Sequence, residues 1–173
     1  AKAFVEAFDR RHGGFGGAPK FPRPSELLFL LDAHALAGDA QAKQVVQESL
    51  RAMAIGGMRD HVGGGFHRYS VDAAWRVPHF EKMLYDQAQL VLAYLDGAQA
   101  SRDIFFSVIA EDTLDYVVAD LTSPDGAFYS AEDADSLAGA AQLATLGPDD
   151  HGAEVKREGA FYVWAASEIE AIF

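Results

Sequence analysis

The sequence predicts a mainly α-helical fold: antiparallel helical hairpins in two layers, with short β-hairpins in long loops gathered at one rim. Three observations carry this. Apolar residues recur at helical spacing through successive segments. The connections between those segments alternate long, short, long, short, long. A short link makes successive helices antiparallel neighbours, so the alternation puts all the long loops at one end. Finally, the long loops carry related glycine–aromatic segments, GGFGG, GGGFHRY, GAFYSAED and GAFYVW, as a repeated hairpin would.

Taken in order, residues 1–9 read as the tail of a helix with Phe4, Val5 and Phe8 on one side. RRHGGFGGAPKFPR is a loop, after which Pro24 suits a first helical position and Glu26 places an acid in the first turn. Residues 27–36 are nearly all apolar, which predicts a helix buried on most sides. Gly38 and Asp39 form a tight link to a helix over 40–55. Its stripe of Val45, Val46, Ser49, Leu50 and Met53 faces inward. The loop 56–78 follows, with 66–71 as a short strand and 75–77 as its partner. A fourth helix is expected over 79–95, because Pro78 disfavours helix only for the residue before it. A fifth runs over 103–121 after a short connection at 99–102. In segment 122–166, DGAFYSAEDADS and EGAFYVW read as two short strands around a small, acidic and mobile stretch, 137–155. Ser167 caps a last helix. Helices two, four and six start at the loop rim, where their positive ends favour a carboxylate or another electron-rich group.

The totals exclude several classes. The 173 residues, half of them hydrophobic, suffice for one domain with a substantial core. A net charge of −12 argues against nucleic acid or an anionic membrane surface as partner. No apolar run is long enough to span a bilayer. With no cysteine, the chain holds no disulfide or thiolate site of its own. No signal peptide is present, and a cytoplasmic location is expected. Ala1 is not a natural start, so an upstream segment is expected.

The chemistry concentrates in GGGFHRYSVDAAWRVPHFEKMLYDQAQL. With GAFYSAEDADS it offers carboxylates Glu81, Asp86, Glu132, Asp133 and Asp135, imidazoles His61, His67 and His79, cations Arg68 and Lys82, and aromatics Tyr69, Trp75, Tyr85 and Tyr129. A sugar site uses these types: aromatic faces stack on a pyranose, carboxylates and Arg bind hydroxyls, and two carboxylates serve as acid and base. An imidazole pair can instead shuttle a proton beside a carbonyl. Plainer readings compete. Trp75 and Tyr85 can be packing, and His79 can cap the fourth helix. Glu81 and Lys82 can be helix-end charges, and Asp86 can pair with Lys82. Arg68 can pair with Asp72, and Glu132, Asp133 and Asp135 can form a solvated turn. No metal is expected, since His61, His67 and His79 lack zinc spacing and EDADSLAG lacks the glycine and closing Glu of a calcium loop. No phosphate loop or nucleophile elbow is present, and no cofactor is expected.

GGFGGAPKFPRP, DHVGGGFHRYSVDAAWRVPHFEKMLYDQAQL, GAFYSAEDADS and EGAFYVW resemble, in this order, the thioredoxin-domain-containing family of spermatogenesis-associated protein 20 and its bacterial relatives. The resemblance covers nearly the whole chain. It implies an incomplete (α/α) toroid of the six-hairpin glycosidase type, similar to N-acylglucosamine 2-epimerases. Residues 1–173 would be its N-terminal part, with a thioredoxin-like domain upstream and further hairpins downstream as partners. It implies no settled reaction. The expected function is binding or acting on a sugar-like molecule by acid/base chemistry. Glu81 or Asp133 is then the acid/base, and His67 and His79 are proton carriers or hydroxyl ligands. Arg68 is the clamp, Trp75 and Tyr85 the platforms, with His61, Lys82, Asp86, Glu132 and Asp135 as ligand contacts. The alternative is a non-catalytic scaffold serving the thioredoxin-like domain. An open part of a ring exposes apolar flanks, so self-association is also expected.

Overall fold

The computed structural model describes residues 1–139 and 155–173. Its helices are α1 (Lys2–Ala7), α2 (Pro24–Ala37), α3 (Ala40–Ile55), α4 (Leu84–Ser101), α5 (Ile104–Ala119) and α6 (Ala166–Glu170). The contacts divide the chain into two compact units, residues 1–132 and 133–173.

In the first unit, Asp39 and Asp103 cap α3 and α5 by accepting the amides of Ala42 and Phe105. The short links at 38–39 and 102–103 turn the chain back, and α2 packs on α3 as α4 packs on α5. The core gathers Leu27, Leu30, Val46, Leu50, Met53, Leu90, Tyr94 and Phe106. Tyr94 stacks on Phe66 at 5.4 Å and donates its hydroxyl to the Leu50 carbonyl at 2.7 Å. The stripe expected on α3 is buried as read. By contrast α2 buries Leu27, Leu30 and Leu31 but exposes Phe29 and Leu36, so it is covered on one face rather than on most sides.

The loops before α2 and α4 are built alike. Asp9–Gly13–Gly14–Phe15 and Asp60–Gly64–Gly65–Phe66 share one spacing. Asp9 N–H donates to Gly14 O at 2.9 Å and Gly13 N–H to Asp9 O at 2.8 Å; the matching bonds at Asp60, Gly65 and Gly64 are 3.0 and 3.1 Å. Each Asp Oδ1 accepts two backbone amides, those of Arg11 and His12 or of Val62 and Gly63. Each Oδ2 then holds a buried lysine. Lys20 Nζ donates to Asp9 at 2.7 Å and to the Ala73 carbonyl, 5.2 Å from the Trp75 ring centroid. Lys82 Nζ donates to Asp60 at 2.9 Å and to the Gly64 carbonyl, 4.2 Å from the Tyr116 ring centroid. Gly65 has φ +72°, and a Cβ there would lie 2.4 Å from Tyr116 Cδ1, so only glycine admits this ring. A third turn, at Ser123, replaces Asp with a shorter hydroxyl that accepts the Ala127 amide.

Backbone ladders tie these loops together. β1 (Tyr69–Ser70) pairs with β2 (Pro78–His79), and β3 (Lys82–Met83) pairs with β4 (Ala131–Glu132), both antiparallel. Lys20 and Ser70 exchange amide hydrogen bonds of 2.7 and 2.9 Å, joining the first long loop to the second. The expected partner strand at 75–77 therefore lies later, at β2, and α4 begins at Leu84 rather than at 79. The backbone of 78–83 is occupied by ladders, which include Arg68 N–H to Glu81 O at 2.8 Å and close with Leu84 N–H to Ser130 O at 3.0 Å. Trp75 sits between the strands at φ +61°.

In the second unit, β5 (Asp135–Leu137) pairs with β6 (Lys156–Glu158). EGAFYVW is not a strand; after β6 it forms a 3₁₀ turn at Ala160–Tyr162. Helix α6 is capped at Ala165, whose amide donates to Glu168 at 2.7 Å, and Ser167 lies inside the helix. Most of the stretch expected to be mobile, 140–154, lies outside the described residues.

Replacing Lys82 with Met strands the Asp60 carboxylate, whose side chain is 10% exposed. The expected loss is about 3–5 kcal/mol in urea unfolding, partly recovered in Lys82→Met/Asp60→Asn. A loss below about 1 kcal/mol would show that the tether carries little.

Candidate functional site

The ladder of the second loop sets out the site. Tyr69 lies opposite His79 in register, so their rings stack at 4.7 Å with a 17° interplanar angle. The Lys20–Ser70 exchange places Phe21 beside Tyr69, ring centroids 4.8 Å apart. Three rings thus form a row that ends in Phe21, 43% exposed. One step along the same ladder, Arg68 Nη1 donates to Glu81 Oε2 at 2.8 Å, and His79 Nε2 lies 3.8 Å from that oxygen. Glu81 first, and Tyr85 after it, raise the Arg68 pKa, and Tyr85 stands 46% exposed.

Asp86 lies in the first turn of α4, 7% exposed, and its Oδ2 has no hydrogen-bond partner. Burial raises its pKa to about 6; Arg68 pulls the value down and Glu81 pushes it up. His67 shows the opposite case. Burial, with Lys82 adding to it, lowers its pKa to about 4, so the ring is neutral at pH 7. Its Nδ1–H donates to the Phe80 carbonyl at 3.2 Å.

The structure brings Arg68, His79, Glu81, Tyr85 and Asp86 together. Three expected contacts are instead interior. Trp75 is 1% exposed and donates its indole N–H to Gly13 O, so it has no face to offer a ligand. Lys82 is the buried tether of the Asp60 loop rather than a ligand contact or the partner of Asp86. His67 is 2% exposed, closed off from a substrate proton. Arg68 pairs with Glu81 and not Asp72, whose carboxylate accepts the amides of Ala74, Arg76 and Val77. His61 is exposed and bonded to the Gly56 carbonyl. Glu132 Oε2 accepts the Tyr116 hydroxyl at 2.7 Å. Asp133 and Asp135 belong to the second unit, where Asp133 Oδ1 accepts the Asp135 amide. Phe21 was not a site candidate in the sequence; its one signal was an exposed-loop aromatic beside Lys20, and only the Lys20–Ser70 bridge brings it in. Among the described residues, no cluster of three or more His, Cys, Asp or Glu is placed to hold a metal. No helix there is long and apolar enough to cross a membrane.

The helices and loops have a fold similar to part of the α/α toroid of sugar epimerases. The chain is similar in structure to a sugar epimerase from a ruminal bacterium (TM-score 0.68, 17% identity, 76% of this chain and 36% of that one). It is equally similar to cellobiose 2-epimerase from Spirochaeta thermophila (TM-score 0.68, 22% identity, 75% and 35%). No family model matches the chain. The chain is a homologue of spermatogenesis-associated protein 20: it is 48% identical to the human protein over 171 residues, 96% of this chain and 20% of that protein. An uncharacterized Caenorhabditis elegans protein is 41% identical over 172 residues, 96% of this chain and 22% of its own length. The chain thus spans about a fifth of the length of the curated relatives it matches.

The pKa shifts fix the sign of the pH dependence. From the ordinary 3.8 up to about 6, native Asp86 holds a proton that the unfolded chain has released, so stability falls as pH rises through that window. From the ordinary 6.5 down to about 4, native His67 refuses a proton that the unfolded chain takes, so stability falls as pH drops. The two slopes oppose each other between pH 4 and 6. Asp86→Asn is expected to stabilise the protein by roughly 1–3 kcal/mol at pH 7, with no gain below pH 4, and to steepen the acid-side loss set by His67. Urea midpoints at several pH values check this; an equal or lower midpoint at pH 7 would contradict it.

Proposed function

We propose that the rim formed by Phe21, Arg68, Tyr69, His79, Glu81, Tyr85 and Asp86 binds a sugar-like small molecule and catalyses acid/base chemistry on it. The observation that carries this reading is the unsatisfied, buried Asp86 carboxylate beside the Arg68–Glu81 pair. Clusters of buried charge that cost stability are characteristic of binding sites. The row Phe21–Tyr69–His79 and the exposed Tyr85 supply apolar faces for the C–H side of a pyranose. Arg68 keeps Glu81 oriented and offers its remaining N–H groups to hydroxyls or a carbonyl. Glu81 then acts as the general base on a carbon beside a carbonyl, taking its proton to leave an enediolate whose oxygen charge the Arg68 N–H groups stabilise. Glu81 returns that proton to the same face, or a protonated His79 delivers one to the other face and is re-protonated by Glu81, 3.8 Å away. Atoms balance without a co-reactant, and the outcome is an isomer of the sugar. The relatives named as epimerases share the fold, and this reading extends their chemistry to the present chain.

A second reading is a non-catalytic scaffold for a thioredoxin-like domain. It draws support from apolar side chains left exposed on α5, namely Ile104, Val108 and Val118.

Incubation with unphosphorylated aldoses and disaccharides in D₂O separates the two. Deuterium is expected at the carbon beside the carbonyl by NMR, with Glu81→Gln slowing exchange by about 10²–10⁴-fold. No exchange with any sugar, or an unaffected variant, favours the scaffold.

A further inference from the structure

We propose that the ligand of this site carries a protonated amine, as an amino sugar or amino polyol does, and that the Asp86 carboxylate receives it. This rests on the reading of the rim as a sugar site and narrows its substrate class. Asp86 is 7% exposed and its Oδ2 lacks any donor. A buried acceptor left unpaired is costly, and a ligand that supplies the donor removes that cost on binding.

The charge balance selects which donor. Arg68 acts electrostatically on Asp86, but its guanidinium is bonded to Glu81, which acts on Asp86 with the opposite sign. Arg68 is already paired with Glu81 at 2.8 Å. The His79 imidazole faces Glu81 at 3.8 Å. One carboxylate therefore stands in excess at Asp86. A hydroxyl satisfies its hydrogen bond but leaves the charge, an ammonium satisfies both, and a phosphate or uronate adds like charge. The surroundings point the same way. Tyr85 and Phe21 are partly exposed aromatics, and aromatic rings attract cations as well as apolar ring faces. The −12 charge of the whole chain repels anions on approach.

The test titrates the purified protein with D-glucosamine, D-glucose, N-acetyl-D-glucosamine and D-glucose 6-phosphate near neutral pH and at low salt, read by calorimetry or saturation-transfer NMR. Glucosamine is expected to bind about tenfold or more tighter than glucose or its N-acetyl derivative, the gain of one charge-assisted hydrogen bond. The phosphate ester is expected to bind weakest. In Asp86→Asn, which removes a costly buried charge and so keeps its fold, glucosamine and glucose are expected to bind alike. Glucose binding as well as glucosamine, or an amine preference that survives in Asp86→Asn, overturns the proposal and leaves the sugar reading standing. No saturable binding by any of the four up to tens of millimolar overturns both.

Discussion

The rim depends on two lysines held in the interior. An ammonium removed from water costs several kcal/mol unless its donors are used. Lys20 and Lys82 meet that condition in the same way: each has a carboxylate, a backbone carbonyl and an aromatic face. The carboxylates are themselves fixed by backbone amides of a glycine turn. Each tether therefore joins one turn to residues distant in sequence: Lys20 reaches Ala73 and Trp75, and Lys82 reaches Gly64 and Tyr116. The two-residue strands of this rim are too short to hold the loops by ladder hydrogen bonds alone.

The site follows from those tethers. Lys20 is also the residue that exchanges amide bonds with Ser70, and Lys82 opens the strand paired with Glu132. Between them run β1 and β2, so Tyr69, His79, Arg68 and Glu81 are presented on a hairpin clamped at both margins. Preorganisation of this kind keeps polar groups aimed at a ligand without reorganisation on binding. Asp86 departs from the pattern. The lysines are paired as they are buried, whereas the Asp86 Oδ2 is buried and unpaired. A buried carboxylate oxygen left unpaired costs stability, unlike the paired lysines.

The repeat was half visible in the chain. GGFGG and GGGF stand out as glycine–aromatic turns, but nothing nearby marks the Asp six residues before each Phe, and Asp9 reads as the end of a helix. Its role appears only when the lysine arrives, from 11 residues ahead in one loop and 22 in the other. Because that separation differs, no fixed motif links Asp to Lys. Trp75 was misread for a related reason: an aromatic in a polar loop looks like a platform until Gly14 and Gly56 are seen to leave room for it and Gly13 O to accept its indole N–H.

By itself the sequence determined most helix positions, the short links and the likeness of the first two glycine–aromatic loops. These rest on local periodicity, on caps such as Asp39 and Asp103, and on glycine spacing, all encoded within a few residues. Tertiary structure alone decided which rim residues face solvent. Lys82, His67 and Trp75 went inside while Arg68, Glu81, Tyr85 and Phe21 stayed partly exposed. It also decided that residues 78–83 pair as strands, although their spacing reads as helix. The reason is that burial of a charge or an aromatic is settled by partners far along the chain, and the free energy of those pairings exceeds any local preference.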